Sequence, residues 1–197
     1  MHSDLVEPTV ALFLKVCDVN LYRKIARKTI LTDNKSLNMK PKPLIFKTLN
    51  GDERYARDKD SNLIWHRCRH RVLYADTDRS QLVYHSNYLI YYEIGRASLM
   101  RDADYPYRLI EESGYVYPII QVGVNYYSPL RYDDPMYIYT RPSELERVKI
   151  RFDYVITHEE TNELICKGFT RHCATNSSGT PVGIDEKTLH LWKNFPR

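Results

Sequence analysis

The sequence predicts an α+β fold in which an antiparallel sheet wraps one long helix. Three observations carry that expectation: strict alternation from Leu63, a helix-length run from Asn87 that is apolar on nearly every side, and strand-like runs downstream divided by turn formers. At 197 residues the chain fits one ordinary domain with room for an appendage.

In chain order, residues 1–62 read as an N-terminal extension, partly helical and of unassigned order, and 63–197 as the main domain. In the extension, Val10, Phe13, Leu14, Cys17, Leu21 and Ile25 recur near helical spacing, so one amphipathic helix is expected from Pro8 to about Ile30. The stretch "LTDNKSLNMKPKP" then breaks it. From Leu63, "LIWHRCRHRVLYA" alternates, with Arg67, Arg69 and Arg71 on one strand face and His66, Cys68 and His70 on the other. The His-Cys-His row has metal-ligand chemistry, but flat strand spacing without a fourth ligand favours ordinary strand residues. The arginine row reads as a solvated face or, less simply, a phosphate contact.

After the loop "DTDRSQLVYH" the helix "NYLIYYEIGRASLMRD" begins, with Ser86 or Asn87 as its expected cap. A helix apolar around most of its circumference has to be enclosed. Glu93 sits among apolar neighbours and needs a partner, for which Arg96 is the natural candidate. A short helix, "PYRLIEESG", stops at Gly114. Four strand runs follow, "YVYPIIQVGVNYYSPL", "PMYIYTRPSELE", "VKIRFDYVITHE" and "ELICKGFTRHCATN", and "DEKTLHLWKNF" reads as a closing helix that docks Leu189 and Trp192.

Composition narrows the function classes. The 29 basic and 25 acidic residues are well mixed and leave a net charge of +4, which suits a soluble protein with a local phosphate site better than a dedicated nucleic-acid binder. The 17 tyrosines could stack single-stranded bases, but most fall in patterns that bury them. Four cysteines with no CxxC pair read as free thiols in a reducing compartment. The early apolar run Val10 to Leu14 is too short for a membrane span or a secretory leader, so a cytoplasmic protein is expected.

The chemistry concentrates in residues 76–93. The first backbone N–H groups of a helix lack intrahelical partners and point outward at its positive end. They can hold the oxygen of a carbonyl as negative charge develops on it. Asp78, a few residues upstream, could attack the carbonyl carbon or deprotonate a water that does. Asp76 reads as a brace for its own loop.

These residues also carry a resemblance. "YADTD", the seven-residue step from Asp78 to His85, "YHSNYLIYYE" with Arg96 three after Glu93, and the downstream "SPLRYDD" and "GFTRHCATNSSGTPVGI" together resemble the hot-dog acyl-CoA thioesterases of the 4-hydroxybenzoyl-CoA and Tol-Pal-associated type, over about residues 64–184. The resemblance implies a hot-dog fold, hydrolysis of an acyl-CoA thioester to acid and free CoA, and no metal or cofactor beyond the CoA of the substrate. It implies Asp78 as the catalytic carboxylate and His85 as the backbone N–H donor whose side chain assists. Tyr84, Asn87, Tyr88 and Glu93 are the expected substrate-binding residues. A homodimer or homotetramer with sites between subunits is implied, with acyl-CoA as partner and an acyl-carrier protein as a further one. One departure stands out: Gln81 occupies a position that is usually glycine, where positive φ or close backbone approach is expected. The competing class is a non-catalytic module that uses the same cavity to hold acyl-CoA or an acyl-carrier protein.

Overall fold

The computed structural model describes residues 43–196; the helix expected over residues 8–30 lies outside the described residues. Strands β1 (Phe46–Leu49), β2 (Asp52–Asp58), β3 (Ile64–Arg71), β5 (Ile119–Tyr126), β6 (Pro135–Leu145), β7 (Lys149–His158) and β8 (Leu164–Cys173) form one antiparallel sheet. Its seven strands lie in the order β1-β2-β3-β6-β7-β8-β5. Two short strands, β4 (Tyr115–Val116) and β9 (Thr175–Asn176), pair separately. Helices α1 (Asn87–Asp102), α2 (Tyr107–Glu112) and α3 (Glu186–Lys193) complete the described chain. No helix of the described residues is long and apolar enough to cross a membrane.

The alternation of β3 lands as its sequence dictates. His66 is fully buried on the inner face, while Arg67 lies over the Tyr137 ring, Arg69 pairs with Glu159 at 2.7 Å and Arg71 donates to the Asp133 carbonyl at 2.6 Å on the other. The arginine row is therefore engaged by neighbouring side chains and carbonyls. Pro142 sits in β6 where the register with β7 shifts, a position that tolerates its missing N–H.

The latter part of the expected extension joins the sheet. β2 pairs with β3 through Tyr55↔His66, Ala56↔Trp65 and Arg57↔Ile64. Asn50 and Gly51, at φ 49° and 79°, make the two-residue turn between β1 and β2. Phe46 stacks on Tyr139 with ring centres 3.7 Å apart, and with Trp65, Ala56, Val155 and Leu164 forms an apolar cluster on the sheet's outer face.

The main core lies between α1 and the inner face. A Cβ on Gly95 would fall 2.5 Å from Thr140 Oγ1 and 2.6 Å from Ile138 Cγ2, so glycine lets α1 press directly on β6. Tyr92 stacks on Tyr154 at 4.3 Å, beneath Gly168, whose missing side chain makes room for the Tyr92 ring. The closing helix is capped by Asp185, which accepts from Thr188 N, and it buries Trp192.

Two expectations for α1 are corrected. The helix is not enclosed within the single chain: Leu89 and Ile90 are 39% and 52% exposed, and Glu93 is exposed on the same side. Arg96 also does not pair with Glu93. It turns inward, where its Nε donates to the Tyr107 hydroxyl and its Nη1 to the Tyr154 hydroxyl at 2.9 Å.

Candidate active site

The loop between β3 and α1 is built by local hydrogen bonds. A 3₁₀ turn, Tyr74–Asp76, leads into a small hairpin closed by the Thr77↔Val83 bridge and by Asp78 N–H to Leu82 C=O at 2.9 Å. Gln81 N–H donates to the Asp78 carbonyl at 2.9 Å, which makes a tight turn of Asp78 to Gln81. Gln81 itself has φ 62°, the left-handed conformation expected where the resembling family usually has glycine. The three-residue loop with a left-handed last residue is a familiar way to close a hairpin.

At its tip Asp78 is exposed. The Ser80 amide donates to Oδ1 at 2.7 Å and the Ser80 hydroxyl donates to the same oxygen. The Ser80 hydroxyl and amide, and further off the charge of His85, hold the Asp78 carboxyl below the usual carboxylate value. The group is thus an exposed carboxylate at neutral pH, with Oδ1 anchored by Ser80.

The start of α1 is uncapped. Ser86 is the N-cap residue but makes no side-chain cap, and Asn87 donates its Nδ2–H to the Asp76 carbonyl at 2.7 Å, so neither expected cap acts as one. The backbone N–H groups of His85 and Ser86 have no acceptor among the described residues. An uncapped helix start leaves donors free for something other than the protein's own chain.

Beside it lies a shallow cleft of about 290 Å³ lined by Leu82, Val83, His85, Tyr88, Tyr126 and the Tyr127–Pro129 turn. The Tyr126 hydroxyl donates to the His85 carbonyl at 2.8 Å, which fixes the peptide on the far side of the His85 residue. Tyr88 is buried, edge-on to Tyr126 at 5.2 Å and to Tyr91 at 5.8 Å, and burial pushes its phenol up to about 12.

Of the six expected site residues, His85 and Tyr88 line this cleft. Asp78 stands on the adjoining hairpin, close enough to His85 to feel its charge, but does not line the cleft of the single chain. Tyr84 is exposed, its ring 4.3 Å from that of His85. Asn87 is engaged by Asp76, and Glu93 lies on the exposed face of α1 away from the cleft lining. Other tyrosines lie away from the cleft: Tyr92 in the core on Tyr154, and Tyr117 donating to Asp185 at 2.8 Å. Tyr126 is the wall residue that sequence reasoning missed. Its place opposite α1 depends on β5 pairing with β8, through Tyr126↔Cys166, a contact with no local signature.

Comparison with known proteins agrees with the fold. The chain is 31% identical over 112 residues to YneP of Bacillus subtilis (strain 168), covering 56% of this chain and 80% of that protein. It is 29% identical over 94 residues to the acyl-CoA thioester hydrolase YbgC of Escherichia coli O157:H7, covering 48% of this chain and 70% of that one. The crystal structure of a hypothetical protein from Aquifex aeolicus superposes with a TM-score of 0.61 at 29% identity, over 64% of this chain and 98% of the other. The Thioesterase-like superfamily model matches residues 72–191, a span that holds the hairpin, α1 and the cleft, and the chain therefore belongs to that hot-dog superfamily.

Proposed function

We propose that the protein hydrolyses acyl-CoA thioesters to a free acid and CoA, with the Asp78 carboxylate as nucleophile or general base and the His85 N–H as oxyanion donor. One observation carries the reading: a single short loop presents an ionised, exposed carboxylate and, seven residues on, an uncapped helix start with open N–H groups beside an aromatic cleft. As a nucleophile, Asp78 adds to the thioester carbonyl carbon, the carbonyl oxygen takes up negative charge against the His85 N–H, and the C–S bond breaks to release CoA thiolate. Water then cleaves the acyl-aspartyl anhydride, releasing the acid and restoring the carboxylate. As a general base, Asp78 takes a proton from water as the hydroxide adds to the same carbon, and CoA leaves as the thiol. In either route the amide acts where charge develops, a contribution of about 2.7–4 kcal/mol for one well-placed donor. The His85 side chain, at the rim of the cleft, assists.

The active form in this reading is a homodimer or homotetramer. Edge strand β5 leaves Ile119, Ile120 and Val122 exposed, and α1 leaves Leu89, Ile90 and Glu93 exposed, so a second copy would cover apolar surface and bring more walls to the shallow cleft. Acyl-CoA is the substrate and an acyl-carrier protein a second possible donor of the acyl group. The described cysteines Cys68, Cys166 and Cys173 are free, in keeping with a cytoplasmic location.

Free-thiol release from a panel of aryl, short-chain and medium-chain acyl-CoAs tests the proposal on the full-length protein. Turnover of at least one member supports it. Tight binding without thiol release would instead favour the non-catalytic acyl-CoA or acyl-carrier-protein module, to which the left-handed Gln81 at the hairpin tip gives its one structural argument.

A further inference from the structure

Asp78 lies on the hairpin closed by the Thr77↔Val83 bridge, and His85 lies two residues beyond that bridge. A third residue ties the hairpin to the helix start. The Asp76 carbonyl accepts the Tyr84 N–H at 2.9 Å and the Asn87 Nδ2–H at 2.7 Å, so one oxygen grips the chain on both sides of His85. The Asp76 carboxylate oxygen Oδ2 accepts the Leu73 N–H at 2.9 Å and the Tyr91 hydroxyl at 2.7 Å, which anchors the same residue to the end of β3 and to the buried second turn of α1. Asp78 follows two residues later.

We infer that Asp76 is a positioning residue: acting through Asn87 and Tyr91, it fixes the Asp78 carboxylate relative to the His85 N–H. The inference rests on the reading of those two groups as the reacting pair. Tyr91 is suited to the task because it is 1% exposed, and burial together with the neighbouring carboxylate raises its phenol far above the working range, so it always donates. Tyr91→Phe deletes this one donor and leaves the ring packing in place. Asn87→Ala frees the other side of His85.

A purely structural brace and a positioning device differ in what they move. A brace lowers the unfolding midpoint and leaves the chemistry of the folded fraction alone. A positioning device lowers kcat, because misplacing a reacting group by about 1 Å can cost about 100-fold in rate. The experiment compares full-length wild type, Tyr91→Phe, Asn87→Ala, Asp76→Ala, Asp76→Asn, Asp78→Asn and the double variant Asp78→Asn with Tyr91→Phe, using the acyl-CoA that wild type turns over fastest, with folding checked by thermal unfolding. Tyr91→Phe and Asn87→Ala are expected to lose about tenfold or more in kcat with KM within about twofold. Asp76→Asn, which keeps an acceptor oxygen for Tyr91, should recover most of what Asp76→Ala loses. Tyr91→Phe should cost nothing further once Asp78 is Asn. A second measurement is independent of turnover: the His85 and Asp78 amide resonances should shift in Tyr91→Phe, and exchange of the Tyr84 amide, which donates to the Asp76 carbonyl, should quicken.

Unchanged kcat in Tyr91→Phe and Asn87→Ala, with a lowered midpoint, would overturn the positioning role and leave a brace. So would a rise in KM alone, which would place Tyr91 on the substrate. Full activity of Asp78→Asn would instead sink the reading on which the inference rests. An inactive wild type would do the same, and the resonance shifts would then decide the positioning question alone.

Discussion

Replacing His172 with glutamine should flatten the acid side of the protein's stability profile. His172 is 1% exposed, and its ring completes a directional relay. Arg96 Nη1 donates to the Tyr154 hydroxyl at 2.9 Å, that hydroxyl meets Thr170 Oγ1 at 2.8 Å, and Thr170 meets His172 Nε2 at 2.9 Å. His172 Nδ1 contacts the Tyr117 carbonyl at 2.9 Å. With each donor passing its hydrogen onward, Nδ1 carries the proton and Nε2 accepts, so the neutral ring satisfies every partner. A second proton has no acceptor in this arrangement. Burial, and then the Arg96 charge, depress the His172 pKa to about 4.

The sign follows from which state binds the proton first. The unfolded chain takes it up near the ordinary value of about 6.5, while the folded chain resists until about 4, so stability is full above 6.5 and falls as pH drops through that window. At about 1.4 kcal/mol per pH unit the full loss is about 3–4 kcal/mol, most of which has developed by pH 4.5. Urea unfolding of wild type and His172→Gln at pH 7 and pH 4.5 measures it as a difference of differences, which cancels the carboxylates common to both chains. Wild type should lose about 2–3 kcal/mol more than the variant across the interval. Equal losses would refute both the neutral ring and the relay.

Other outcomes follow from single contacts. Gln81→Gly removes a side chain from a left-handed position and should stabilise the protein by about 0.5–1 kcal/mol in the same urea assay. Gly95→Ala drives a methyl group to within 2.5 Å of Thr140 Oγ1, and should lose about 1–2 kcal/mol despite alanine's better helix propensity. Phe46→Ala should lose about 1.5–2 kcal/mol with its stack on Tyr139, and a chain beginning at Leu63 should unfold or aggregate because Trp65 and Tyr139 lose their cover. Ser80→Ala withdraws a donor from Asp78 Oδ1, so the Asp78 carboxyl should rise toward its ordinary value and the acid limb of kcat/KM should move to higher pH.

The legible parts of the fold were those written in local periodicity. Alternation along "WHRCRHR" separates the arginines from His66 correctly, and Asp185 and Gly114 mark their helix ends because capping and left-handed turns depend on adjacent residues. Sequence reading passes over Asn50-Gly51, although that pair flanked by "FKTL" and "DERYARD" is a strong hairpin signal. Charged residues on an outer strand weaken the apolar pattern while leaving the turn chemistry intact. Arg96 shows the opposite limit. Its sequence neighbour Glu93 suggests an ion pair, but its partners Tyr107 and Tyr154 come from another helix and from β7, 11 and 58 residues away. The exposed Leu89 and Ile90 fail the enclosure argument for a related reason, since periodicity records that a face is apolar and not which molecule covers it. At the candidate site, Asp78, His85 and the glycine-like conformation of Gln81 could be read from one loop, whereas Tyr126 and the hydrogen bonds gathered at Asp76 needed the tertiary pairing of β5 with β8 and of the loop with α1.

The most direct measurement is the rate of CoA release at saturating acyl-CoA by full-length Asp78→Asn, a change that keeps size and removes charge. The variant should bind substrate and unfold at nearly the wild-type midpoint, because Asp78 is exposed, while kcat falls by about 10² to 10⁴. Release within about twofold of wild type would contradict the assignment of the reaction to this carboxylate.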